Sequence, residues 1–488
     1  MGENEKITTE SGDLGFWGLT AVAVGMTVAS GVFSLPRDFP EVGASQGAVI
    51  IGWIICGLGM FGLMRTFFGL SYVRPELKGG IYSFAKAGFG DWVGFLSAWG
   101  YWVCCWVCLV AFSNLLFAAT GYFLPVLGTG GNSIPAIICA SIFLWVLCAL
   151  VLKGVDTASF VNVVITIAKM VPLFMFILLA FLMGKFNPDI FFHNFWGSDG
   201  PDALPLLAQV SGTAMITLWV FSGIEGAVVV SQRAKRMPDV AKASATSFFF
   251  VLVLYMFISL VSMGILPPEE LAALENPSLA YVMEAVVGPW GAVLINIGVI
   301  ISLAGGLLSV VIITAEVANS AAKNGSFCNF FAKENKNGSP VNSLVLSIAL
   351  AQLLLITTYF GETTFQALYW LSASMLMLPY LFSALFYAKV VKSKEGFDLY
   401  PGCKYGFEVF VAVIAVAYGA WLVFAVSMEY LLYSCMFYAP GALIYIKGKK
   451  EKGEKLFPEI HDKPLLALVV AAGVAAIVLI FAGVLQPL

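Results

Sequence analysis

Long apolar stretches constrain this chain more than any other feature of its sequence. Thirteen mostly apolar stretches of membrane-spanning length recur from end to end, since a helix of about 20 such residues crosses the hydrocarbon core of a bilayer. Only 11% of the residues are charged, against roughly 25% in soluble globular proteins. The sequence therefore predicts an all-α polytopic membrane protein. The predicted spans lie near residues 15–38, 45–72, 93–124, 133–152, 157–184, 207–231, 244–266, 286–322, 341–359, 364–390, 406–427, 430–446 and 465–485.

Lysine and arginine are unevenly divided between the predicted loops. If the N-terminus is cytoplasmic and the sides alternate, the cytoplasmic loops hold 23 of these residues and the external loops hold two, Arg37 and Lys185. Cytoplasmic loops of membrane proteins carry such an excess of Lys and Arg. The sequence therefore predicts a cytoplasmic N-terminus, with a polar tail over residues 1–14, and an external C-terminus.

Two of the predicted spans contain residues that weaken a helix. The first carries Ala29-Ser30-Gly31, and the sixth carries Ser222-Gly223 just before Glu225. Glycine in a membrane helix often serves close packing. Paired interruptions in corresponding segments of two repeats, however, indicate the midplane binding site of a transporter.

Spans one and six correspond if the chain contains two five-helix halves. We predict a first half over residues 15–206, a second half of opposite topology over 207–404, and three additional spans over 405–488. A broken helix frees N–H groups, which can hold a carboxylate, and carbonyl groups, which can hold an ammonium group. An α-amino acid carries both groups, so the sequence predicts a small-molecule substrate of this kind.

Other classes of membrane protein fit the sequence less well. An embedded enzyme would need clustered catalytic groups at one depth, but both histidines, His193 and His461, fall in loops. A pore would be expected to carry a ring of repeated charges. The C-x-x-C at residues 105–108 has no His or acidic neighbour, which favours packing over redox or metal chemistry. We therefore expect no catalytic residues, cofactor or metal, and the net charge of −3 suggests no nucleic-acid partner.

Three segments carry a resemblance to a known family: TVASGVFSLP, PELKGGIYSFAKAGFGDWVGFLSAWGYW and TLWVFSGIEGAVVVSQRAK. They resemble the basic amino acid/polyamine antiporters of the amino acid–polyamine–organocation superfamily, especially those that exchange arginine for agmatine or ornithine. The likeness extends in hydropathy over about residues 15 to 450. It implies a LeuT-like inverted repeat of five plus five helices, with about 13 transmembrane helices in all, in a bacterial inner membrane. It also implies exchange of external L-arginine for an internal product by alternating access around spans one and six.

The resemblance also assigns roles to residues at the two breaks. Ser30 and Gly31 match the segment that holds the substrate carboxylate through a hydroxyl and backbone N–H groups. Thr27, Trp219 and Ser222 match positions whose backbone carbonyls take the α-ammonium group. Trp219 would also cover the substrate as part of a gate.

The resemblance also assigns roles to residues in other spans. Cys105 and Trp106 match the wall near the substrate side chain, and Tyr101 and Glu225 match an aromatic–acid pair on the outer side of the site. Lys169 lies well inside a span, where a lysine is costly unless it has a partner or a task. The resemblance implies that it occupies the place that a sodium ion takes in some members, against broken span one, or that it braces a helix. Snorkelling is the structural alternative, and the long apolar stretches on both sides argue against it.

Three departures leave the substrate open. Ala29 replaces the family's usual glycine, Leu109 stands where arginine/agmatine relatives place an amide, and Val310 stands where they place a stacking tryptophan. Trp102, Tyr369 and Trp370 are candidates for a replacement cation–π surface, with packing as the commoner role of aromatic residues in a membrane helix. Lysine, histidine and tyrosine remain alternative substrates, and a proton-coupled symporter or antiporter is the alternative mechanism. The sequence does not determine the oligomeric state, and a homodimer is compatible with it.

Overall fold

The computed structural model describes residues 15–77, 81–154, 159–198, 203–223, 235, 237–360, 365–399 and 402–485. Helices dominate these ranges, as the apolar stretches predict, because a helix satisfies its own backbone hydrogen bonds in lipid. The α-helices are α1 (Phe16–Thr27), α2 (Leu35–Glu41), α3 (Gln46–Val73), α4 (Ile81–Phe89), α5 (Asp91–Gly121), α6 (Ile134–Leu152), α7 (Ser159–Leu182), α8 (Pro188–Phe192), α9 (Leu206–Val220), α10 (Met237–Ser262), α11 (Pro268–Ala272), α12 (Ser278–Val287), α13 (Pro289–Lys323), α14 (Val341–Phe360), α15 (Phe365–Ser393), α16 (Tyr405–Ala425), α17 (Met428–Tyr438), α18 (Gly441–Lys452) and α19 (Asp462–Phe481).

Ten helices in the described part of the chain are long and apolar enough to cross a membrane, and each coincides with a predicted span. Shorter helices occupy the other three predicted spans. The first is divided into α1 and α2, the sixth begins as α9, and the twelfth is divided into α17 and α18 at Ala439-Pro440. Proline lacks the N–H that would continue a helix, which accounts for the last division.

The centre of the bundle lies around α5. In the most apolar part of α5, 89% of the residues are buried, against 17% in α19. α5 packs mainly against α13 and α15, whereas α1 packs against α10 and α7. The first break therefore faces the interior of the bundle.

Arg65 lies within α3, near the cytoplasmic end of the second predicted span, where it is counted with the basic residues of that side. Its Nη2 lies 2.7 Å from Oε1 of Glu408 on α16, and the Tyr387 hydroxyl donates a hydrogen bond to the other oxygen of Glu408 at 2.7 Å. The buried carboxylate of Glu408 thus compensates the charge of Arg65 inside the bundle.

Candidate functional site

The first break lies between α1 and α2. Val28, which caps α1, adopts extended backbone angles, and a short 3₁₀ turn over Gly31–Phe33 precedes α2. The N–H groups of residues 29–32 have no hydrogen-bond partner among the described residues. The Ser30 hydroxyl is buried and likewise has no partner there. Several donors are therefore available to an anionic group at this point.

The second break begins at the end of α9. The N–H and hydroxyl of Ser222 both donate to the carbonyl oxygen of Trp219, at 3.0 and 2.7 Å. Gly223 has a φ of 94°, a backbone conformation that glycine adopts without strain. Residues 224–234 lie outside the described part of the chain, so the prediction for Glu225 falls on a residue that is not described.

The two breaks meet at Gly31. A Cβ atom at this position would lie 2.5 Å from Cγ1 of Val220 and 2.9 Å from Cδ1 of Trp219. Carbon atoms in proteins do not approach so closely, so only glycine allows the end of α9 to contact the backbone of the first break. Ser30, Gly31 and Trp219, predicted from distant segments, are thereby brought together.

Trp219 forms one wall of this region. Its ring stacks on Tyr369 of α15, with centroids 5.5 Å apart and planes 21° apart, and meets Phe112 of α5 edge-on at 6.0 Å. Trp219 itself is buried. The indole therefore has a defined position between the break and two other spans.

Lys169 of α7 reaches the other side of the first break. Its ammonium group donates to the carbonyl oxygen of Gly25 at 2.6 Å and also to that of Val28, and its side chain is buried. These carbonyls end α1 and lack helical partners beyond the break. A cation there is favoured because the C-terminus of a helix carries partial negative charge.

Thr27 is held by a residue that the sequence did not single out. The hydroxyl of Tyr255, on α10, donates to the Thr27 carbonyl oxygen at 3.1 Å. The Thr27 hydroxyl donates to Ala23 O at 2.9 Å within α1. The carbonyl predicted to bind an ammonium group is thus already engaged, although a carbonyl oxygen has two lone pairs and can accept a second donor.

The predicted residues on α5 do not share one face. Cys105 lies seven residues before Phe112, about two helical turns, and therefore shares the face directed at Trp219. Trp106 is rotated about 100° away from Cys105 and packs against Phe437 of α17 at 5.8 Å. Tyr101 is half-buried on the same face as Cys105. Cys105 therefore lies on the face of α5 that contacts Trp219, whereas Trp106 contacts α17.

Asp38 lies on α2, one turn beyond the first break. It was not identified from the sequence as a candidate site residue. It is completely buried, and its Oδ2 accepts a hydrogen bond from the Ser34 hydroxyl at 2.6 Å. A carboxylate inside a predicted span is itself a signal of function, because burial of an acid in the membrane is costly. No group of three or more His, Cys, Asp or Glu residues suited to a metal occurs within the described ranges.

Comparison with known proteins gives a consistent result. The amino acid permease family matches residues 14–428. The chain is 42% identical over 464 residues to the arginine/ornithine antiporter of Pseudomonas aeruginosa, covering 94% of this chain and 95% of that protein. It is 40% identical over 458 residues to the arginine/agmatine antiporter of Chlamydia pneumoniae, covering 92% of this chain and 93% of that protein.

A solved structure supports the fold. The crystal structure of MhsT in complex with L-phenylalanine matches with a TM-score of 0.58 and 15% identity, over 84% of this chain and 97% of that chain. The predicted all-α, LeuT-like fold is therefore confirmed. The family match and the antiporter relatives confirm the expectation of a transporter rather than an enzyme. On the extent of these matches, the chain belongs to the amino acid permease family of the amino acid–polyamine–organocation superfamily.

Proposed function

We propose that this protein exchanges external L-arginine for an internal product of arginine breakdown, agmatine or ornithine, by alternating access around the two breaks. The observation that carries the proposal is the meeting of the breaks at Gly31, beside N–H groups that have no hydrogen-bond partner among the described residues. The named activities of the relatives from Pseudomonas aeruginosa and Chlamydia pneumoniae support the choice of substrates.

The substrate carboxylate would bind at Ser30 and Gly31. The buried hydroxyl of Ser30 and the N–H groups of residues 29–32 lack partners among the described residues, and a carboxylate would satisfy several of them at once. Hydrogen bonds to a charged acceptor are among the strongest in proteins. This arrangement explains why the span is broken where an unpaired donor is most costly.

The α-ammonium group would lie at the carbonyl groups of the breaks. The carbonyl oxygens of Thr27 and Trp219 each already accept hydrogen bonds, from Tyr255 and Ser222, which fixes their direction. A second lone pair on the Thr27 oxygen remains for the substrate. The Trp219 oxygen already accepts from both the N–H and the hydroxyl of Ser222, so the ammonium group would replace the hydroxyl there. Trp219 would cover the bound molecule, supported by its stacking on Tyr369.

Lys169 would stand in for a coupling ion. Its ammonium group contacts the carbonyl oxygens of Gly25 and Val28, and no acid pairs with it among the described residues. A fixed cation here stabilises the end of α1 in the absence of sodium. The proposed exchange therefore needs no sodium.

Counterflow into proteoliposomes tests the exchange. Vesicles containing the purified protein are loaded with agmatine, ornithine, lysine, histidine or tyrosine, and uptake of labelled L-arginine is measured against empty vesicles. We expect rapid uptake only where agmatine or ornithine is inside. Uptake into empty vesicles that follows an imposed pH gradient would instead favour a proton-coupled symporter.

We also propose a bacterial inner-membrane location with the N-terminus in the cytoplasm and the C-terminus outside, from the distribution of Lys and Arg. A protease added to intact spheroplasts is expected to remove a tag from the C-terminus and to spare one at the N-terminus. The opposite pattern would contradict this orientation.

A further inference from the structure

The carboxyl group of Asp38 is joined to the first break by a short chain of contacts. The Ser34 hydroxyl lies 2.6 Å from Oδ2 of Asp38 and 2.9 Å from the carbonyl oxygen of Gly31. The side chain of Asp38 is completely buried. Asp38 therefore borders the region where the two breaks meet, on the side that the sequence predicts to be external.

The charge of this carboxylate is not matched by a cation of the protein. Its Oδ1 is buried without a hydrogen-bond partner, and Asp38 forms no salt bridge within the described residues. The neighbouring Arg37 instead pairs with Glu41, with its Nη2 2.7 Å from Oε1. A buried carboxylate is strongly unfavourable unless a cation or a proton compensates it.

One aromatic residue, Tyr369, lies beside the carboxyl group of Asp38. Its hydroxyl does not form a hydrogen bond of ordinary geometry with that group. The Tyr369 ring stacks on Trp219, which contacts Gly31, so Asp38 and the proposed carboxylate site share one continuous wall.

A buried carboxylate with one unpaired oxygen is well suited to a cation, because hydrogen bonds between charged groups are among the strong ones. The residues that hold the guanidinium group in arginine/agmatine relatives are replaced here by Leu109 and Val310, neither of which attracts a cation. Asp38 supplies a negative charge at a different place in the same region.

We propose that Asp38 binds the side-chain cation of a basic substrate, a guanidinium or ammonium group, while the substrate carboxylate lies at Ser30 and Gly31. The inference rests on the proposed function, since it requires a basic amino acid in the site. It makes Asp38 a determinant of charge selectivity in addition to the residues at the breaks.

Binding to purified protein in detergent tests the assignment. L-Citrulline has nearly the shape of L-arginine but no charge, so the ratio of their affinities reports charge recognition alone. For Asp38→Asn we expect arginine binding to weaken by about 10- to 100-fold, the effect of losing a hydrogen-bonded charge pair. Citrulline binding should not change, whereas a purely structural role for Asp38 would weaken both ligands together.

Two variants serve as controls. Asp38→Glu keeps the charge and should keep the preference for arginine. Glu284→Gln removes a half-buried acid of α12 and should leave both affinities unchanged. An Asp38→Asn protein that still prefers arginine as strongly as the parent overturns the inference.

The outcomes separate this inference from the proposed function. If the unsubstituted protein does not bind arginine, the exchange proposal fails, and the comparison is repeated with lysine and norleucine to test Asp38 alone. If Asp38→Asn does not fold, labelling of the unsubstituted protein with dicyclohexylcarbodiimide replaces it. Arginine should then protect Asp38 from modification while citrulline should not, and equal labelling with either ligand overturns the inference.

Discussion

Replacement of Gly31 by alanine gives the sharpest test of the contact between the two breaks. The added Cβ would lie 2.5 Å from Val220 Cγ1, 2.9 Å from Trp219 Cδ1 and 3.2 Å from Trp219 Nε1. The first two separations are shorter than carbon atoms tolerate, so the end of α9 must move away from the first break. Overpacking of this kind costs about 1–3 kcal/mol, which corresponds to a factor of about 5 to 150.

We therefore expect Gly31→Ala to lower arginine exchange by about tenfold or more, and Gly31→Val to abolish it, because a branched side chain adds further overlap. Exchange is measured as labelled-arginine uptake into agmatine-loaded proteoliposomes at matched protein content. Gly406→Ala is the matched control, since no atom lies within 4 Å of the Cβ added there. Its uptake should equal that of the parent.

A double substitution identifies the atom responsible. Val220 supplies the nearest clashing methyl group, so Gly31→Ala combined with Val220→Ala should recover part of the lost exchange. Recovery should be incomplete because the contact with Trp219 remains. Normal uptake by Gly31→Ala, or a double variant no better than Gly31→Ala, would refute the reasoning.

Three further predictions concern charged and aromatic side chains. Uptake should be unchanged when choline replaces sodium, and Lys169→Ala should be inactive; sodium-dependent uptake by the parent would contradict this. Trp219→Leu should weaken binding of cationic substrates more than of neutral ones, measured with arginine and citrulline, and equal losses would show that Trp219 only packs. Glu225→Gln should slow arginine exchange and flatten its dependence on pH, because it removes a charge that desolvation and the substrate cation influence in opposite directions. Parent-like transport by Glu225→Gln at every pH would refute that role.

The sequence predicted the features that depend on local chemistry. Apolar stretches located the spans, and the small residues Ala29 to Gly31 located the first break between α1 and α2. Likewise Ser222-Gly223 located the end of α9 at Val220. These signals act through the intrinsic preferences of the residues themselves, so no knowledge of packing was needed.

Contacts between distant spans were not predictable in the same way. The hydrogen bond from Tyr255 to Thr27 and the stacking of Trp219 on Tyr369 join segments more than a hundred residues apart, and no local pattern encodes them. The orientation of Trp106 depends on helical periodicity, which places it about 100° from Cys105 on α5. Asp38 could have been identified from the sequence, because it is an acid within an apolar span. The comparison of loop charges counted only lysine and arginine and so did not include it.

The contact between Lys169 and the end of α1 has a consequence for the energetics of the proposed exchange. An ammonium group attached to the chain cannot be released on the far side of the membrane as a sodium ion can, so the proposed exchange uses no sodium gradient. The concentration ratios of the two exchanged solutes then set the direction of flux, together with any net charge they move. Arginine and ornithine both carry one positive charge, and their exchange is electrically silent. Agmatine carries two, so each turnover against arginine moves one charge outward and works against an inside-negative potential at about 2.3 kcal/mol per 100 mV.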